Sequence, residues 1–476
     1  MLNSRLILKG PAGKGPAGDH SEPHEDAAAL ARMRRASPAD LQKLKARDNT
    51  SNIGHLAFVW LVIVLAIGCA ITIENELRAG GHSLIWLIPV VLVAIVIVGA
   101  SQHQLGGAIH EGTHHTLFAN RRLNELVSDW LAAFPIYTST YQFRVHHLAH
   151  HQFVNDPERD PDISQLKESD HWLDFPITHI DMVRALARQL WLPNLIRYTI
   201  VRAKYSALGF DKNPYRDDTR VRRAWSVRAG LLFAVLAPAA IIALLSQARG
   251  GAAFAALGVL YALVAGYYLV LAANAFPGTQ LQPVISHRAT ALGRVTFMAL
   301  VYASLTGLEV WVGVPAWSYF GLYWIVPLFT TFALFMVLRQ WVQHGNADRG
   351  RYTNTRVFLV NPLVRYAVFP FGMDYHLPHH LYASVPHYNL KALHALLLGD
   401  GEYRAKGVIV EGYFGDDNSV TGRPSALSVI GPKHVPRRHE AAHIDNAALE
   451  LVDVKDQDAI SREVAASQRQ AGTPPR

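Results

Sequence analysis

The sequence predicts an all-α fold: a multi-pass transmembrane helical bundle of four to six membrane helices, with a cytoplasmic helical cap holding a metal site. Three observations predict it. Half of the 476 residues are hydrophobic, and they gather in blocks close to the roughly 20 residues that cross a bilayer as a helix. Among 24 histidines, three tight clusters lie just outside those blocks. The single cysteine, Cys69, sits inside the first block, so no disulfide framework and no thiolate motif can form. A bound metal must therefore be held by nitrogen and oxygen. The net charge of +8 lies mainly in segments flanking the blocks. That pattern reports membrane topology, and no nucleic-acid-reading motif accompanies it.

The elements follow in order. Residues 1–52 form a polar N-terminal segment, and "MLNSRLILKG" lacks the long apolar core and cleavage site of a signal peptide. "SPADLQKLKAR" reads as a short helix, with Ser37 as its cap, Pro38 in the first turn and Asp40 at the positive end of the dipole. Blocks at about 55–74 and 83–101, joined by "ENELRAGGH", form a helical hairpin. A long polar segment, about 102–226, comes next. Within it, "HIDMVRALARQLWLPNLIRYTIV" alternates apolar and basic positions at helical spacing, as suits a helix on the membrane surface. Its end carries Arg202, Lys204, Lys212, Arg216, Arg220, Arg222 and Arg223.

Four more blocks cover about 227–246, 252–275, 294–313 and 317–338. The last two are separated by "VPAW" and contain polar residues, so they read as two spans or as one re-entrant pair. Either way the number of crossings between residues 226 and 339 is even, and segments 1–52, 102–226 and 339–476 share one side. These are the basic segments, which places them and both termini in the cytoplasm. Glu309, within an apolar block, is expected near an interface or against other helices, because exposure to lipid at mid-depth costs about 2.5–3.5 kcal/mol. The membrane domain is taken as 53–417, and 418–476 as a mobile tail with a short helix in "AALELVDVKDQDAISREVAASQ".

The clusters are "HEGTHH" (His110, His114, His115), "HHLAHH" (His146, His147, His150, His151) and "HLPHH" (His376, His379, His380). Residues four apart lie on one helix face, so His110 and His114 can point into one site. In H-x-x-H-H the three imidazoles span about 100° of the helix circumference and can converge. Neutral imidazole suits iron, zinc, copper or nickel. All three clusters fall at the same membrane boundary, although more than 200 residues separate the first from the last. His344, just beyond the last block, is a further candidate, and His387 reads as a loop residue supporting the site. His20, His24, His434, His439 and His443 are expected to be solvated.

"HEGTHHTLFANRRLNEL", "FRVHHLAHHQFVNDPERDPD" and "YHLPHHLYASVPHYNL" together resemble the three histidine boxes of the membrane fatty acid desaturases, a superfamily with related hydroxylases and carotenoid ketolases. The resemblance runs from about residue 55 to 400. It implies a non-haem di-iron centre, O2 as co-substrate and electrons from a separate carrier, ferredoxin-like or cytochrome-like. It implies as ligands His110 and His114; His147, His150 and His151; His376, His379 and His380; and His344, matching an extra histidine before the third box. Some relatives use a five-residue step in the first box, so His115 stands beside His114 as the alternative ligand. His146 is an extra histidine, and Ala383 stands where many members have proline. Asp156, Asp160 and Asp162 match an acidic stretch that either orients ligand rings or forms a solvated turn.

The resemblance points to a lipid desaturase acting on an acyl chain, with a hydroxylase or ketolase on the same scaffold as the alternative. No catalytic residue beyond the metal centre is implied. Zinc has no accessible redox change and cannot activate O2, which favours two irons. No fused cytochrome domain or cysteine cluster is visible, so electrons must come from a partner, and the basic face suits an acidic one. A metal transporter would place its ligands near mid-membrane instead.

Overall fold

The computed structural model describes residues 38–209, 211, 213–216, 225–415 and 417–435. Ser37, Lys212, Arg220, Arg222, Arg223, the expected helix after residue 445, and His20, His24, His439 and His443 lie outside the described residues. A short helix α1 (Pro38–Leu44) precedes the predicted hairpin, α2 (Ser51–Ala79) and α3 (Leu87–Thr113). Then come α4 (Arg121–Ser128), α5 (Thr140–Gln152), α6 (Pro161–Glu168), α7 (His179–Gln189) and α8 (Leu192–Ser206). Three long helices follow: α9 (Trp225–Leu245), α10 (Gly250–Val270) and α11 (His287–Gly307), the last running on through a wide turn at Leu308–Val312. The final long helix is composite: α12 (Ala316–Phe320), a wide turn, α13 (Val326–Phe329) and α14 (Thr331–His344). Beyond it lie β1 (Arg356–Leu359), α15 (Pro362–Val368), α16 (His376–Leu381), α17 (Leu390–Leu397), α18 (Gly401–Lys406), β2 (Val408–Glu411) and α19 (Ala426–Ile430). The two strands pair in parallel, Val357 opposite Ile409.

Among the described residues, 6 helices are long and apolar enough to cross a membrane. The last two, His287–Val312 and Ala316–His344, have 26 and 29 residues, each long enough for a full crossing. Glu309 lies beside the turn between them, where its carboxylate accepts the Trp317 amide at 3.1 Å. Two helices run well past the expected ends of their apolar blocks: α3 continues to Thr113, and α14 to His344. These extensions are the stems that carry His110 and His344 beyond the apolar blocks.

The apolar faces pack into two main cores. One joins Val98, Leu105 and Ile109 of α3 to Val337 and Trp341 of α14, and continues to Leu377 and Leu390. The other joins Ile241, Tyr268, Val295 and Tyr302 of α9, α10 and α11. Outward residues such as Leu65, Val93, Leu236 and Leu263 stay exposed, as lipid-facing positions do.

Two sequence expectations change. The single surface helix over 179–201 is two, α7 and α8, because Pro193 restricts the residue before it and restarts the helix. Ile180, Val183, Leu190, Trp191 and Ile200 remain exposed there, in keeping with a membrane surface. The tail does not begin at residue 418: α19 buries Val429 and Ile430, and Asn346 donates to the carbonyls of Val429 and His434. The short apolar run in "SALSVIG" suffices to dock this segment, so His434 is partly buried rather than solvated.

The stems need close contact. A Cβ on Gly99 would lie 1.9 Å from Thr331 Oγ1 and 2.8 Å from the Phe332 amide nitrogen. Gly99→Ala should therefore separate α3 from α14 and cost about 1–3 kcal/mol by overpacking. Gly258→Ala, with nothing within 4 Å, should be neutral or stabilising. Thermal unfolding in detergent checks this: Gly99→Ala lowers the midpoint and Gly258→Ala does not.

Candidate metal centre

Nine of the ten histidines singled out in the sequence converge in two groups. His110 and His114 at the end of α3, His147 and His151 on α5, and His379 on α16 form one. His150, His344, His376 and His380 form the other. Within each group one ring nitrogen per residue lies within 4.8 Å of the rest. The groups adjoin, with the His151 and His380 rings stacked at 4.3 Å between centroids. Two turns of α5 feed both groups, since His147 and His151 face one way and His150 the other.

The nitrogen spacing tests whether a cation fits. His147 Nε2 is 3.0 Å from both His114 Nε2 and His151 Nε2, and His151 Nε2 is 3.0 Å from His379 Nε2. His376 Nε2 is 3.0 Å from His344 Nε2 and 3.1 Å from His380 Nε2. A ring nitrogen carries either one proton or one lone pair, and so makes one ordinary hydrogen bond. The four-membered chain can satisfy at most two of its three contacts in that way, and the three-membered chain one of two. A shared cation satisfies them all, because nitrogens about 2.1 Å from one ion and at right angles lie about 3 Å apart. Burial, reinforced by neighbouring imidazoles, holds His147, His151, His379 and His380 well below the ordinary histidine range. Their rings are neutral and present lone pairs, as metal ligation requires.

Other side chains fix the rings. His150 Nδ1 donates to Asp160 Oδ1 at 3.0 Å, and His344 Nδ1 donates to the Asn354 carbonyl at 3.1 Å. Each bond places the proton on Nδ1 and leaves the Nε2 lone pair free for a metal. Asp160 also caps α6 through the Asp162 amide at 2.9 Å, so the acidic stretch is both turn and support. Asp156 instead binds Arg159 and Arg349.

His115 and His146 stay outside both groups. His115, at φ 53°, turns its Nδ1 toward Asn124 Nδ2 at 3.4 Å and Glu125 at 3.5 Å. The left-handed step after α3 turns it away while His114 remains in line. His146 donates to Asp162 at 2.8 Å and lies 3.6 Å from Asp211. Burial opposes charge on His146, yet the two carboxylates outweigh it and raise the group to about 9. A protonated imidazole has no lone pair, so His146 braces the acidic stretch rather than binding metal.

The sequence did not reveal the buried polar frame beneath the first box. Arg144 donates to the carbonyls of Thr113 at 2.8 Å and Gly112 at 2.7 Å, and pairs with Glu125. It thereby satisfies the open carbonyl end of α3, just where His110 and His114 leave it. Glu111 accepts the Thr116 hydroxyl at 2.9 Å and the His387 amide at 3.0 Å, and His387 Nε2 bonds Asn52 at 2.8 Å. The acidic residue inside "HEGTHH" was the available signal for Glu111. The Arg144–Glu125 pair joins separate helices and leaves no local pattern.

Metal analysis of purified variants checks these roles. His114→Ala should lose bound metal while His115→Ala and His146→Gln retain it. Asp160→Asn should weaken metal affinity by roughly 10–100-fold, the usual effect of removing a ring-orienting carboxylate.

Comparison with known proteins identifies the family. The family model described as "Fatty acid desaturase" matches residues 84–282 and 249–409. One relative, the dihydrorhizobitoxine desaturase of Bradyrhizobium elkanii, is 34% identical over 79 residues, 16% of this chain and 22% of the relative. Another, the Delta(5) fatty acid desaturase fat-4 of Caenorhabditis elegans, is 29% identical over 107 residues, 22% of each chain. The aligned stretches thus span about a fifth of these curated relatives, whereas the family match covers most of the membrane helices and every histidine of both groups. With six apolar helices and three histidine boxes folded into one paired centre, the chain belongs to the fatty acid desaturase family.

Proposed function

We propose that the protein is an O2-dependent di-iron desaturase that introduces a double bond into the acyl chain of a lipid. The observation that carries the reading is the pair of adjoining, buried histidine groups, five residues and four. When bound, two irons would supply the reduction of O2 and the removal of two hydrogens from neighbouring carbons. Overall, one O2, two protons and two electrons convert a CH2–CH2 unit to CH=CH and two waters. The electrons require an outside carrier, ferredoxin-like or cytochrome-like, and the basic segments favour an acidic one.

The protein's own part is positioning. Nine imidazole rings would hold the irons: His110, His114, His147, His151 and His379 around one, and His150, His344, His376 and His380 around the other. Asp160 and the Asn354 carbonyl keep two of those rings in a single tautomer. Burial of the groups excludes bulk water from the oxidising centre. An alkyl substrate explains the membrane setting, since each buried CH2 is worth about 0.8 kcal/mol and the chain can be aligned in an apolar slot below the histidines. Selectivity for one carbon then comes from alignment.

The histidine side is proposed to face the cytoplasm, because the basic segments lie there. In a Cys69→Ser background, His82→Cys should react with an impermeant maleimide in intact cells, and Arg404→Cys only after permeabilisation. The reverse pattern inverts the topology. Expression in a host with simple lipids, followed by mass spectrometry of total lipids, tests the reaction. New unsaturation is expected, with about two irons per purified chain, and His150→Ala should abolish the product. New oxygen in the product moves the assignment to a hydroxylase or ketolase; zinc alone in the protein overturns the redox reading.

A further inference from the structure

Two arginines beside the metal centre have no counter-ion in contact. Arg202 on α8 and Arg339 on α14 make no hydrogen bond and no ion pair through their guanidinium groups to any described residue. Arg339 Nε is buried without a partner. The Arg202 guanidinium lies 5.5 Å over the Phe332 ring, and the edge of that system meets the His103 ring, 6.0 Å between centroids. His103 Nε2 is likewise buried without a partner.

The arrangement is built, not accidental. Tyr198 and Arg202 are one turn apart on α8, and Phe332 and Arg339 two turns apart on α14, so each pair shares a face. The Tyr198 hydroxyl donates to Gln340 Oε1 at 2.7 Å and locks the two faces together. The two positive charges are within electrostatic reach of each other and, from Arg339, of His110 and His376. Asp162 is the carboxylate whose field reaches both, and it is committed to His146 at 2.8 Å and lies 3.6 Å from His150. Both side chains are partly exposed and open to a ligand, and two neighbouring like charges with no counter-ion in contact repel. The repulsion is relieved by an anion that both forks can grip, and guanidinium matches carboxylate or phosphate oxygens in bidentate fashion.

We propose that Arg202 and Arg339 form the receptor for the ionised head group of the substrate, a carboxylate or a phosphate ester on an alkyl chain. This rests on the desaturase reading and adds that the substrate is an anionic lipid. The oxidised carbon is then selected by its distance from the acidic end.

The test is equilibrium binding to the purified, iron-loaded full chain. The probes are radiolabelled palmitate, its methyl ester and dodecyl phosphate. Wild type should bind palmitate or dodecyl phosphate at least tenfold more tightly than the methyl ester, and whichever acid binds better identifies the head group. Arg202→Gln and Arg339→Gln should each weaken binding of that acid at least tenfold and leave the ester unchanged, with Arg→Lys recovering part of the loss. Iron content shows whether each variant has folded. If a variant fails to fold, the wild-type comparison alone decides. Equal binding of acid and ester by wild type, or equal loss of both in the variants, overturns the proposal. Such a result leaves the desaturase reading intact, since that depends on iron and product, not on head-group affinity.

Discussion

The structure depends on bringing nine imidazoles to one place without letting them repel or hydrogen-bond among themselves. Imidazole is a good ligand only while its lone pair is free, and burial secures that for the rings at the centre. Burial also leaves nitrogen-to-nitrogen contacts near 3.0 Å that hydrogen bonds cannot all satisfy. The surrounding protein must therefore force the rings together. That force comes from helices that continue unbroken past their apolar blocks and deliver their histidines on rigid stems, α3 with His110 and α14 with His344. A loop at either place would place a ring loosely, whereas a continuous helix fixes it to the packing of the membrane core.

Charge is managed one layer out. An imidazole ligand brings no negative charge, so the positive charge of a bound metal would have to be balanced by nearby carboxylates. Asp160 and Glu111 are buried beside the rings, and Glu125 lies beneath the first box against Arg144. The arrangement divides labour: nitrogen is presented to a metal, and oxygen orients nitrogen. His146 shows how sharply residue type fails to determine role. It sits directly before His147 in the chain, yet two aspartates make it a cation and remove it from the ligand set.

Much of this was legible in the sequence, for definable reasons. The apolar blocks gave the membrane helices because bilayer thickness fixes their length. H-x-x-H-H gave the facing rings because helical periodicity is local. The even number of crossings gathered the distant third box. Three things were not legible. That His114 and not His115 joins the histidine group depends on a single left-handed residue after α3, which spacing alone does not encode. The docking of α19 depends on a short apolar run, Val429 and Ile430 buried with Ala426 and Leu427 packed beside them, inside a longer polar segment. The Arg144–Glu125 pair and the Arg202–Arg339 juxtaposition join residues from separate helices, and only the tertiary fold brings them together.

The second membrane core supplies no histidine to either group, but it governs the helix that supplies three. The Tyr141 hydroxyl, near the start of α5, donates to the Leu281 carbonyl at 2.8 Å. At the other end, the Tyr215 hydroxyl donates to Gln152 Oε1 at 2.6 Å, and the Tyr215 carbonyl accepts the Gln280 amide at 2.8 Å. Both ends of α5 are thus tied to the segment that links α10 to α11. Any shift of α9–α11 relative to α3 and α14 moves His147, His150 and His151 relative to His110, His344 and the third box. Metal geometry and membrane packing are therefore one constraint: the α9–α11 half of the bundle is needed because it holds α5 still, even though it never touches the centre.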